Sequence, residues 1–80
     1  MDVAGLSRRR RLAGMFSAAK LRAERERAVL SMQELAQRSR VSRQTIARLE
    51  SGQAPEPYPS TIRKLARALG IRPQELVDVP

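Results

Sequence analysis

The sequence has no cysteine, no histidine and no tryptophan, and only one phenylalanine and one tyrosine. Without cysteine, disulfides and thiolate metal sites are excluded. Without histidine, the usual general base and the commonest metal ligand are missing. With so few aromatic rings, a surface that binds single strands by stacking bases lacks its parts. No run is long and apolar enough to span a bilayer. The opening "MDVAGLSRRRRLAGMF" has basic residues but no continuous apolar region behind them, which makes it a poor signal peptide; its Arg-rich, acid-poor composition is shared with transit peptides. The chain is read as soluble and cytoplasmic. No enzyme and no cofactor are expected: Glu24 and Glu26 sit among arginines on one helix, and eighty residues leave no length for a catalytic pocket.

What is abundant is positive charge. Sixteen basic residues face eight acidic ones, a net charge of +8. Such a field attracts polyanions and speeds their encounter, although solubility alone also favours an excess of one sign. Nearly all of these cations are Arg; only Lys20 and Lys64 are Lys. The Arg fork matches phosphate and guanine edges bidentately, whereas Lys acts as a point charge.

Length implies one domain with a small core, for which dimerisation or partner binding is a natural supplement. Residues 1–14 show no period and are read as a basic flexible arm, with residues 15–80 as the folded domain. Leu21, Ala28 and Leu30 suit one face of a first helix over about Ser17–Ala28, which can start earlier, through Met15 and Phe16. "SMQE" opens a second helix: Ser31 caps it and Glu34 completes a capping box. Met32, Leu35, Ala36 and Ser39 then share a face. Ser42 caps a third helix that Gly52 stops. "QAPEPYP" is a loop, since its three prolines cannot continue a helix. Pro59 starts a fourth helix with the stripe Ile62, Leu65, Ala66 and Leu69, closed by Gly70. Pro73 starts a short fifth helix carrying Leu76 and Val77. No strand is expected, and the fold class is all-α.

On the third helix, at about 100° per residue, Ile46 and Leu49 fall on one side with Thr45 beside them. Arg43, Gln44, Ala47 and Arg48 fall on the other, with no acid among them. An α-helix fits the major groove of B-DNA, where Arg pairs with guanine, Gln with adenine, and Ala can approach a thymine methyl. The competing reading is a solvated helix face, but such faces usually mix Glu with Lys and Arg. Two helices joined by about three residues form the helix-turn-helix arrangement.

"LRAERERAVLSMQELAQRSRVSRQTIARLESG" followed by "STIRKLARALGIRPQEL" resembles the lambda-repressor-like, Cro-type helix-turn-helix domain, the XRE family, over about Leu21–Val77. The match includes Leu35-Ala36, Val41-Ser42, Ile46, Leu49, Leu65-Ala66 and Leu69-Gly70. The resemblance implies a five-helix domain in which Arg43, Gln44 and Arg48 read bases, with Ala47 on the same face. It implies phosphate contacts from Ser42 and from Ser31 and Met32 at the second helix's N-terminus. It also implies a buried pair between Arg25 and Glu50.

The chain departs from the family pattern at several places. Met32 stands where Gln commonly binds phosphate, so only its backbone amide carries over. Ser39 replaces an apolar core residue, which should weaken packing between helices two and three. Val29 and Arg40 stand where glycine is common. The loop before helix four is longer and lacks the basic residues that often bind phosphate there. Arg40 is expected to lie toward a phosphate that offsets the strain of its turn.

The basic arm Arg8, Arg9, Arg10 and Arg11 is read first as a tail of diffuse attraction, with a fixed phosphate or minor-groove contact as the alternative. Arg63, Lys64 and Arg67 are read as solvated surface. Leu76, Val77 and Val79 can form a dimer seam or pack on their own core. The resulting expectation is a sequence-specific double-stranded DNA-binding transcriptional regulator, a repressor before an activator, nucleoid-associated and binding a palindrome as a homodimer. Two rivals stand beside it: an antitoxin or accessory factor acting through a protein partner, and an RNA-binding module.

Overall fold

The computed structural model describes residues 15–78; the proposed arm, with Arg8, Arg9, Arg10 and Arg11, and Val79 lie outside them. Among the described residues four α-helices follow in order: α1 (Ala18–Arg27), α2 (Met32–Ser39), α3 (Arg43–Ser51) and α4 (Pro59–Leu69). They are followed by a single 3-10 turn, Pro73–Leu76. Among the described residues there is no strand, only one isolated antiparallel bridge between Phe16 and Val77, and no helix is long and apolar enough to cross a membrane.

The helix starts follow the cap chemistry of the sequence. Ser17 accepts from the Lys20 N–H at 3.1 Å. Ser31 and Glu34 form the expected capping box, at 3.0 Å and 2.8 Å. Ser42 accepts from the Thr45 N–H at 3.1 Å. Each satisfies donors that the first helical turn would leave unpaired.

The helix ends are less ordinary. Among the described residues four take positive φ, and they close the four α-helices: Val29 (57°), Arg40 (64°), Gly52 (77°) and Gly70 (71°). After α1, the Leu30 N–H reaches the Arg25 carbonyl and the Val29 N–H reaches the Glu26 carbonyl. This is a Schellman closure, repeated after α3 by Gln53 and Gly52 and after α4 by Ile71 and Gly70. Val29 occupies the glycine place in the first of them although it is β-branched and costs about 1–2 kcal/mol in that conformation. That closure turns Leu30 into the core, where it is buried beyond the helix rather than on the face of α1.

The turn after α2 is built differently. Arg40 is left-handed (φ 64, ψ 24) and its N–H bonds only the Ala36 carbonyl. The Val41 N–H bonds the Ser39 hydroxyl oxygen at 3.1 Å. Ser39 is buried, so the departure from an apolar residue supplies an acceptor that holds the tight turn between α2 and α3.

The core is a single cluster centred on Leu21, Leu35, Ile46, Leu65 and Leu76, all fully buried. α2 packs on α3 and α4, α1 packs on α3, and the 3-10 turn packs on α4 and α1. Two sequence expectations need correction. The fifth helix is only the 3-10 turn, because Val77 is already extended (φ −126, ψ 155) and pairs with Phe16. The same pairing stops α1 from starting at Met15 or Phe16: the Ser17 N–H bonds the Leu76 carbonyl at 2.9 Å, and the Asp78 N–H bonds the Met15 carbonyl at 2.8 Å. Lys20 reinforces this clasp by donating to the Val77 carbonyl (2.9 Å) and pairing with Asp78 (3.0 Å). Leu76 is therefore buried in its own chain's core, and Val77, half-buried, packs against that core.

Candidate nucleic-acid interface

α3 is positioned from behind by Ile46 and Leu49, which are buried, and from its last turn by Glu50. The Glu50 carboxylate has a 3 % exposed side chain and meets Arg25, itself 12 % exposed, in a bidentate pair. Arg25 Nε donates to Oε2 at 2.6 Å and Nη2 donates to Oε1 at 2.9 Å. A third Arg25 donor, Nη1, reaches the Leu30 carbonyl at 2.8 Å. One guanidinium thus ties α1, the Schellman turn and α3 together. The hydrogen bonds to Glu50 raise the Arg25 pKa above its ordinary value, with burial pulling the other way. The pair expected between Arg25 and Glu50 is present.

On its outer side α3 exposes Arg43, Gln44 and Arg48, with Ala47 half-buried between them. The Ser42 hydroxyl both caps the helix and donates to the Thr45 hydroxyl at 2.8 Å. At the start of α2, Ser31 is exposed and its N–H is held by Glu34. The Met32 N–H lies in the first turn, where a helix supplies no acceptor of its own, and the Met32 side chain packs against the core. Glu34 is held below the usual carboxylate range, first by its hydrogen bond from the Ser31 backbone and then by that residue's hydroxyl. Its negative charge beside this helix end competes with any phosphate there.

The ion pairs divide the molecule. Cations of α1 and the C-terminal segment are matched: Lys20 with Asp78, Arg22 with Glu26, Arg27 with Glu24 and Arg72 with Glu75. Among the described residues, Arg38, Arg40, Arg43, Arg48, Arg63, Lys64 and Arg67 pair with no carboxylate. The bare cations lie on α2, α3, α4 and the turn between α2 and α3. Arg40, in that turn, is exposed.

One residue of this region escaped the sequence reading. Tyr58 is 78 % exposed and borders a hollow of about 310 Å³ with Thr45, Arg48, Glu56 and Thr61 among its lining. It occupies the N-cap of α4 and makes no side-chain capping bond. A tyrosine at a position that favours Ser, Thr, Asp or Asn was the available sign that its side chain does not cap the helix.

A search of curated proteins finds no match to the chain. The family model described as a helix-turn-helix domain matches residues 18–79, a span that contains all four helices and the 3-10 turn. With the short turn between α2 and α3, the cationic outer face of α3 and the resemblance read over Leu21–Val77, this places the chain in the helix-turn-helix domain family.

Proposed function

We propose that the chain is a sequence-specific double-stranded DNA-binding transcriptional regulator, acting as a repressor by occupying its site. The observation that carries this reading is the two-sidedness of α3. Ile46 and Leu49 anchor it while Arg43, Gln44 and Arg48 face outward, and neither arginine is engaged by an acid among the described residues. In the major groove, Arg43 and Arg48 read guanine edges and Gln44 reads adenine. Ala47 leaves room for a thymine methyl. Arg40, Ser42, Ser31 and the Met32 amide meet phosphates, and Tyr58 adds a hydroxyl donor to a phosphate beside Arg48. The protein binds a palindromic site as a homodimer, with half-sites about 34–36 Å apart.

Selection from a random duplex library, read at two salt concentrations, tests this directly. A symmetric consensus is expected. Arg43→Ala should cost about 1–3 kcal/mol on the selected site and relax choice at one base pair. Equal weakening on every duplex would remove Arg43 from base reading. Preference for structured RNA over the selected duplex would favour the RNA-binding alternative.

A further inference from the structure

The largest cluster of bare cations is not on α3. α2 packs across α4, and between the end of α2 and the outer face of α4 lies an open cleft of about 710 Å³. Arg38, Arg40, Arg63, Lys64 and Arg67 line it together with Ser60, and no carboxylate does. The α4 cations flank the stripe of Ile62, Leu65, Ala66 and Leu69 that faces the core, so the packing that buries the stripe also carries the cations to Arg38 and Arg40. Arg63, Lys64 and Arg67, read from the sequence as solvated surface, are exposed, and their neighbours across the cleft are far away in the chain.

Gathering five cations around one hollow is unfavourable in the free protein, since like charges repel. On α1 and in the C-terminal segment the chain matches its cations with acids, as with Arg27 and Glu24 at 2.7 Å. An anionic occupant relieves the repulsion here. Four of the five cations are Arg, whose planar fork binds phosphate with two parallel hydrogen bonds. The cleft opens to solvent, so a phosphate can reach its cations from outside. Arg40 stands three residues before Arg43 and links the cleft to α3.

We propose that this cleft binds the phosphodiester backbone of DNA, as a second contact separate from the base-reading face of α3. The inference rests on the DNA-binding reading above. The backbone comes either from the duplex held by α3, beyond its recognition site, or from a second duplex.

The test compares full-length wild type with Arg63→Gln/Arg67→Gln on the selected duplex. Each phosphate that the protein no longer neutralises lowers the slope of log affinity against log salt by about 0.9, so where the cleft holds the same duplex as α3 the slope on a long selected duplex should fall by about 2 with an unchanged consensus. Arg27→Gln/Arg72→Gln removes as much charge from outside the cleft and should lower it by less than half as much. Melting followed by circular dichroism checks that both variants fold.

A weakening seen on long duplexes but not on ones trimmed to the consensus assigns the flanking backbone. Disappearance of energy transfer between two labelled duplexes, with single-duplex affinity intact, assigns a second duplex. Wild-type slope and wild-type bridging in the cleft variant would overturn the proposal, as would an equal fall in the control. Loss of polyglutamate binding with DNA binding intact would also overturn it, in favour of an acidic protein segment. If the wild type selects a sequence through Arg43 while the cleft variant matches it, only the cleft assignment falls. If the wild type binds no duplex, the function proposed above falls with it.

Discussion

Replacing Arg25 by Met leaves the Glu50 carboxylate 3 % exposed with its principal partner gone. Only Arg22 remains near, at 3.9 Å, with a side chain 61 % exposed. The Leu30 carbonyl loses the Nη1 donor as well. Breaking a buried pair by removing one member costs about 3–5 kcal/mol, and the added orphan carbonyl keeps the cost from the lower end. Stability of about 0.05–0.15 kcal/mol per residue amounts to about 4–12 kcal/mol for eighty residues, so Arg25→Met should lose a large share of it and unfold at much lower urea. Glu50→Leu should cost less, because Arg25 keeps the Leu30 carbonyl and its guanidinium can turn to water. Arg25→Met/Glu50→Leu should be more stable than Arg25→Met alone, since no buried charge is stranded. Urea titration followed by helical circular dichroism measures all four members of the cycle. Single-variant losses below about 1 kcal/mol that simply add would show an ordinary surface pair and refute the tie described between α1 and α3.

The turn after α2 gives two further expectations. Arg40→Gly should raise stability by about 1 kcal/mol by relieving the left-handed residue while weakening duplex binding; unchanged affinity would remove Arg40 from the phosphate contacts. Ser39→Ala should cost about 1–3 kcal/mol, because the Val41 N–H loses its acceptor in a buried turn; a neutral result in urea titration would mean that water replaces the hydroxyl. The capping box predicts a pH effect: because Glu34 is depressed in the folded state, its contribution is present above the ordinary carboxylate pKa and fades as pH falls through the folded value. Glu34→Gln should abolish that part of the acid-side decline in melting temperature, and an identical pH profile in the variant would count against it.

Helix boundaries were legible wherever a cap residue and an apolar stripe agreed. Ser31 with Glu34 marks the start of one observed helix, and Ser42 with Gly52 and Pro59 with Gly70 each bracket another. The two-sidedness of α3 was legible for the same reason, since period and polarity coincide there. Val29 was marked only by its place where glycine is common, because a β-branched residue argues against the backbone it adopts. The Phe16–Val77 bridge has no period to detect, being one residue long on each side. Ser39 read as a packing defect because its acceptor role exists only once the turn is formed. The cleft cations needed the α2–α4 packing before they could be seen as one group. Arg25 and Glu50 were found through family resemblance, as residues 25 positions apart carry no local sign of pairing.

The division between matched and bare cations also bears on the first moments of an encounter. A molecule whose surplus charge lies to one side has a permanent electric dipole, and the field of a polyanion turns it before contact. The helices that carry the bare cations, α2, α3 and α4, then face a polyanion more often than chance orientation would allow, and fewer collisions are wasted. Raising ionic strength shortens the reach of that torque, so added salt should slow arrival as well as hasten departure.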